Sequence, residues 1–219
     1  MVMSIQDYNE EYFYLKSIGE NYPNLQYEGG QDSFETSDEF RLKKGIRRLC
    51  FSHPIPDDPE MADFHYLKDY SPVISERMKN LLENMNLRNI QFLPTEIRNK
   101  EGNVVEGNYY IIHVYNMVKC LDREKSNWEP CSFKEDIATL VHSLVINNEE
   151  LHKVPLEERL VFALYEQRVH VLYHRSVVDK LLEIEPKGMT IFRLSKWDLS
   201  SQSKEEYFSK LFDFDDDDL

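Results

Sequence analysis

Apolar and polar residues follow one another in runs short enough for strands, broken by three stretches with helical spacing. Tyr12 to Ile18 mixes aromatic and aliphatic residues and predicts a strand, and Gly45 to Phe51 (GIRRLCF) predicts a second. Between them, Gly19 to Ser37 is rich in turn formers (NYPNL, EGGQDS) and reads as irregular. PIPDDPEMAD comes next, and its three prolines and four acids disfavour regular structure, so an exposed acidic loop is expected. Ser75 is placed to cap a helix whose Met78, Leu81, Leu82 and Met85 fall at i, i+3, i+4 and i+7. Ile90 to Ile97 and Tyr109 to Val118 are rich in β-formers and are joined by the turn chemistry of NKEGNVVEG, which predicts a hairpin. After the charged stretch Asp122 to Asn127, Ile137 to Ile146 is an apolar run that fits a strand or a buried helix. The strand is the reading taken.

A second unit resembles the first in order. Leu160 to Tyr165 and Val169 to Tyr173 are strands joined by the polar turn Glu166 to Arg168. Ser176 to Glu185 then sets Val178, Leu181, Leu182 and Glu185 on one helical face, Pro186-Lys187-Gly188 ends it, and Met189 to Leu194 returns as a strand. Laid against the first unit, Arg77/Arg175, Leu81-Leu82-Glu83/Leu181-Leu182-Glu183 and Phe92/Phe192 correspond, with a two-residue slip between the arginine and the leucines. The expected fold is α+β: two related strand–helix–strand modules with mainly antiparallel sheet, a decorated N-terminal segment and an acidic C-terminal tail. The expected organisation is an N-terminal strand-and-loop segment over residues 1–70, a body over 71–197, and a helix with an acidic tail over 198–219. In that last part Tyr207, Phe208, Leu211 and Phe212 suit a short amphipathic helix before the aspartates, a kind of tail that usually stays solvated.

Composition narrows the function. Of 219 residues 41% are hydrophobic, enough to build a core, and 40 acids against 26 bases give a formal charge of −14. A phosphate backbone is repelled by such a chain, so general nucleic-acid binding is disfavoured and a basic partner favoured. Cys50, Cys120 and Cys131 make no disulfide framework and suit a reducing compartment. The start MVMSIQDYNEEYFYL lacks a signal-peptide pattern, and no apolar run reaches the roughly 20 residues a spanning helix needs. A cytoplasmic protein is expected.

The chain offers no glycine-rich phosphate loop, GxSxG, HExxH, CxxC or EF-hand sequence. His113, Cys120, Cys131 and His142 are zinc-ligand types at spacings that match no usual zinc site, and His170 with His174 is one ligand pair without a carboxylate. Asp122 and Glu124, near Ser126, are candidate acid and base, but with Arg123 and Lys125 beside them they read as a paired turn. A Cys120–His113 nucleophile pair lacks an orienting third group. No catalytic residue, cofactor or metal is therefore assigned. The acidic segments need no catalytic geometry: Asp57, Asp58 and Glu60 in the loop, and Phe212, Asp213, Phe214, Asp215, Asp216, Asp217 and Asp218 in the tail, combine charge for steering with aromatic area for anchoring on a cationic protein surface. Two other readings remain open: a small hydrolase-type enzyme using Asp122 and Glu124 or the Cys–His pair, and an acidic nucleic-acid mimic.

SPVISERMKNLLE, then IQFLPTEI, then NYYIIHVYNMVKCLDREKS and, after a gap, VHVLYHRSVVDKLLEIEPKGMTIF resemble the bacterial immunity protein family eleven of polymorphic-toxin systems. The likeness runs from Tyr70 to Phe192, marked by Val73-Ile74-Ser75-Glu76-Arg77, Phe92-Leu93-Pro94, Tyr109-Tyr110, Asp122 to Ser126 and the Gly188 turn. The extension after Trp197 lies outside it. The resemblance implies a cytoplasmic, non-catalytic protein that binds a cognate toxin domain and neutralises it. Stoichiometric occlusion is the expected mode, and charge and hydropathy predict no direct contact with nucleic acid or membrane.

Overall fold

The computed structural model describes residues 7–17, 22–29, 41–43, 45–53, 55, 59–67 and 71–199. Thirteen strands and four α-helices are formed by these residues. In chain order they are β1 (Tyr12–Ser17), β2 (Asn24–Tyr27), β3 (Arg47–Ser52), β4 (Phe64–Tyr66), β5 (Pro72–Ser75), α1 (Glu76–Asn84), β6 (Ile90–Arg98), β7 (Tyr109–Val114), β8 (Met117–Val118), β9 (Asn127–Cys131), β10 (Lys134–Ser143), α2 (Asn148–His152), α3 (Leu156–Arg159), β11 (Val161–Leu164), β12 (Val171–His174), α4 (Arg175–Leu182) and β13 (Met189–Arg193). They build a six-stranded sheet in the order β2-β3-β6-β7-β5-β4, a five-stranded sheet in the order β13-β1-β12-β11-β8, and a β9–β10 ribbon. Pairing is antiparallel except for β3 with β6 and β11 with β8. The α+β expectation with mainly antiparallel sheet holds.

The two modules are a repeat in register. A shift of 99 residues carries Glu76, the first residue of α1, onto Arg175, the first of α4, and Ile90 of β6 onto Met189 of β13. In each module a helix links two parallel strands that hold an antiparallel strand between them: β7 between β5 and β6, β1 between β12 and β13. The pair Ile74–Tyr110 answers Tyr173–Phe13, and Phe64–Ile74 answers Val161–Tyr173. Backbone bonds outside the strands repeat as well: Ser75 N to Asp63 O (2.9 Å) matches His174 N to Leu160 O (2.9 Å), and Glu76 N to Asn108 O (2.9 Å) matches Arg175 N to Glu11 O (2.8 Å). Both helices leave through the same two left-handed positions, Asn86 (φ 52°) and Asn89 (φ 57°) after α1, Glu185 (φ 46°) and Gly188 (φ 76°) after α4. The shift has no gap, so the letter matches straddle the true correspondence: Arg77 falls on Ser176, Leu82 on Leu181 and Leu93 on Phe192.

Each helix contributes to a shared core. Met78 and Leu82 of α1 and Val177, Val178 and Leu181 of α4 are buried in one cluster with Phe13, Leu15, Ile112, Val114 and Tyr173 from both sheets. Burying a leucine of this kind stabilises by about 2 kcal/mol, so the two modules are held to each other mainly by apolar area. The far face of the six-stranded sheet gathers Leu25, Leu49, Leu93 and Ile111, and that of the five-stranded sheet gathers Tyr12, Tyr14, Phe162 and Leu172 with Trp197.

Four details differ from the sequence reading. Ser75 is the residue before α1 as expected, but its hydroxyl donates to Asp63 (2.6 Å) and makes no cap. In α4 the buried face is Val177, Val178 and Leu181, and Glu185 lies beyond the helix end. The turn-rich segment after Gly19 contains strand β2, whose Leu25 is fully buried. The run Tyr109 to Val118 is split at Tyr115-Asn116, because the Asn116 side-chain amide donates to Glu158 O and to Val161 O (3.3 Å) while the Asn116 backbone carbonyl accepts from Ala163 N (2.9 Å). Those bonds hand the chain from one sheet to the other. Asn116→Ala strands two carbonyls and is expected to cost about 1–2 kcal/mol in urea unfolding. A loss below roughly 0.5 kcal/mol would show that the crossing is held elsewhere.

Candidate functional site

The acidic loop meets the body at a buried clamp. Asp63, read from sequence as part of an exposed loop, is buried instead, because four donors converge on its carboxylate: Ser75 Oγ (2.6 Å), Arg77 Nε (2.6 Å), a second Arg77 nitrogen, and Lys187 N (2.8 Å). Burial alone raises the Asp63 pKa, but the bonds from Arg77, Ser75 and Lys187 outweigh it and hold the carboxyl below the ordinary aspartate range. Arg77 also donates to Ile184 O (2.8 Å) and Glu185 O (3.2 Å), tying the first module's helix to the loop after the second module's. Next to the clamp, buried His65 accepts from Ala62 N through Nε2 (3.0 Å), and its Nδ1 lies 3.2 Å from Pro23 O, as a neutral donor would. Burial pushes its pKa down to about 4. The loop therefore has a rigid root, and Glu60 stands exposed three residues before Asp63. Asp57 and Asp58 lie outside the described residues, as do Phe212, Asp213, Phe214, Asp215, Asp216, Asp217 and Asp218.

The candidate catalytic groups are spent on local structure. Asp122 Oδ1 accepts from Glu124 N (3.2 Å) and Lys125 N (3.1 Å), and its other oxygen pairs with Lys125 Nζ (3.1 Å). Burial works to raise its pKa, and the Lys125 bonds overcome that and keep the carboxyl ionised, the wrong state for a general acid. Glu124 is exposed. Burial, followed by the charge of Glu166, pushes the Cys120 thiol well up, so it carries no thiolate at neutral pH. His113 is buried and stacks on Tyr115 at 5.5 Å. His142 bonds Glu129 (2.9 Å), and Cys131 is half-buried at the end of β9. His170 is buried between Tyr14 and Trp197, with burial pushing it to about 4, whereas His174 caps α4 by accepting from Ser176 N (3.2 Å). Among the described residues no group of three or more His, Cys, Asp or Glu is placed to hold a metal ion.

One surface was not signalled by the sequence. The β9–β10 ribbon turns at Ser132-Phe133, and Phe133 is 96% exposed. Beside the turn, the Tyr165 ring lies against Lys119 Nζ (5.5 Å) and Lys134 Nζ (5.4 Å), and its hydroxyl accepts from Lys134 (3.2 Å) and donates to Asp136 (3.2 Å). Arg123 covers Trp128 at 5.3 Å and donates to Asp136 O (3.2 Å). On a chain with a charge of −14 this is a local concentration of cations on aromatic rings. Its members come from separate stretches, so only the tertiary structure gathers them.

The family model described as the immunity protein family Imm11 matches residues 30–193, about three quarters of the chain, with the first repeat whole and the second apart from its middle strand β1. No curated protein matches the chain. Among the described residues no helix is long and apolar enough to cross a membrane.

Proposed function

Because the chain belongs to the Imm11 immunity protein family, we propose that it binds a cognate bacterial toxin domain in the cytoplasm and holds it inactive in a stoichiometric complex. The match over residues 30–193 carries this reading, and the commitment of Asp122 and Cys120 to local structure agrees with a role by occlusion. An interface of about 1,600 Å² is ordinary for such a pair, with affinity set by a few anchors.

The partner is a basic toxin, of which a nuclease is one example, and the contact is made by Asp57, Asp58 and Glu60 on the clamped loop together with Phe212, Phe214 and the terminal aspartates. A net charge of −14 supports this choice of partner, since opposite charges accelerate encounter. Cells expressing the toxin domain are expected to survive only when this chain is co-expressed, and death of the co-expressing cells overturns the immunity reading. The association rate is expected to fall at least about tenfold as the Debye length shortens from about 10 Å to about 3 Å between 0.1 and 1 M salt. A flat rate would remove the basic partner and leave occlusion intact. Deleting residues 213–219 removes Phe214 and the terminal aspartates and is expected both to slow association and to speed dissociation, while Asp57, Asp58 and Glu60 and the folded body retain part of the binding.

A further inference from the structure

We infer that the cationic surface at the root of the β9–β10 ribbon holds the chain's own acidic C-terminal segment, Phe212–Asp218, while the protein is free of partner. The inference goes beyond the immunity reading and does not depend on it.

The place where the described chain ends sets the direction. Asp198 bridges Ser143 in the antiparallel sense, and Leu199 N donates to His142 O (2.7 Å), so the chain leaves the body beside β10 and runs from its end towards its start. At the start of β10 lie Lys134, Tyr165, Lys119 and Asp136. At about 3.4 Å per residue the distance from His142 to Lys134 is at most about 27 Å, and the residues between Leu199 and Asp213 span up to about 45 Å when extended. The segment reaches with slack.

The chemistry of the two surfaces is complementary. Lys119, Lys134 and Arg123 surround Tyr165 and Trp128, and Arg168 stands within electrostatic reach of Lys134. Asp136 lies among them, already bonded to Tyr165 and paired with Lys119 (3.7 Å), and the buried Glu166 faces Lys119 and Arg123 from beneath, so four cations meet two carboxylates there. Five aspartates, Asp213 and Asp215 to Asp218, supply the opposite charge. Phe212 and Phe214 have aromatic and apolar surface to meet in Tyr165 and the exposed Phe133 and Val169. Pairs between exposed charges are individually weak, but a tether of this length keeps the segment near the surface at an effective concentration of order millimolar. A partner that takes the same aspartates displaces the segment from the ribbon.

Zero-length carbodiimide coupling of the full chain in dilute solution tests this, because it joins only carboxylates and amines already in contact. Tail peptides carrying Asp213 and Asp215 to Asp218 are expected to couple to Lys119 and Lys134 at least about fivefold more often than to the exposed Lys100, Lys153 and Lys180, with the preference lost near 1 M salt, where the Debye length is about 3 Å. Arg123→Gln combined with Arg168→Gln leaves both reporter lysines in place and is expected to lower the preference at least about twofold, with the thermal midpoint measured alongside to confirm folding. An even spread over the exposed lysines overturns the inference. So does a preference that survives 1 M salt or the double substitution, and so does coupling confined to a crosslinked dimer, which would make a second copy the source of the segment.

Discussion

Asp63→Ala is expected to destabilise the protein by about 3 kcal/mol, the range seen when one partner of a buried ion pair is removed. The carboxylate side chain is 9% exposed and the Arg77 side chain 48%, so the cost falls mainly on the groups left behind in the interior, Lys187 N–H and the Ser75 hydroxyl. Arg77→Ala is expected to cost less, because Asp63 keeps two of its donors. For a chain of this size about 3 kcal/mol is a fall of roughly 6–12 °C in the thermal midpoint. The pH dependence has a fixed sign. The folded Asp63 pKa is lowered, so its contribution is complete above the unfolded value near 3.9 and is lost as pH falls below that value through the folded one. Asp63→Asn lacks this titration, and the stability gap between it and the native chain is expected to narrow in acid. A loss under about 1 kcal/mol for Asp63→Ala, or a gap that widens in acid, would contradict the clamp.

Gly188→Ala is expected to cost as much, for a different reason. A Cβ there meets the Ala62 Cβ well inside van der Waals contact and lies 3.0 Å from Phe64 O, and the backbone sits at φ +76°. The left-handed conformation costs a side-chain residue roughly 1 kcal/mol, and forcing neighbours in a packed loop apart adds about 2 more. Gly102, at φ +83° with nothing within 4 Å of a built Cβ, isolates the first of these costs, so Gly102→Ala is expected to lose only about 1 kcal/mol. Equal losses at the two glycines in paired denaturant titrations would show that the close approach to β4 carries no weight.

Much of this fold is written in local patterns. The i, i+3, i+4, i+7 spacing from Met78 to Met85 marks α1 because one face is buried, β6 and β13 show the alternation of half-buried strands, and β11 and β12 are short apolar runs because both their faces are covered. What stayed hidden depends on distant partners. Strand β9 is NWEPC, with a proline and exposed residues, and it is a strand only because β10 pairs with it. The split at Asn116 needs Glu158, Val161 and Ala163, far along the chain. The repeat was visible in composition but displaced by a residue either way, since the conserved feature is backbone geometry and Asn89 in one module does the work of Gly188 in the other. At the candidate surface Asp63 sits in an acidic string and reads as solvated. Only Ser75, Arg77 and Lys187 turn it inward. The lysines around Tyr165 carried no signal because charged residues at scattered positions are the commonest feature of any surface.

The middle strand of each repeat is supplied differently, and this bears on how soon a newly made molecule can work. In the first module β7 follows β6 directly, so β4 to β7 with α1 close from contiguous chain. In the second module the middle strand is β1, which must wait for β12 and β13. At ribosomal speeds of about 5–20 residues per second, β12 and β13 are translated roughly 10–30 s after β1, so Phe13 waits for Tyr173 and Leu15 for Ile191 before either has a strand partner. A long separation between paired strands also slows folding itself. In the proposed role the protective dose is set by finished chains, and a protein whose second sheet is closed by β1 and β13 arrives with a built-in lag.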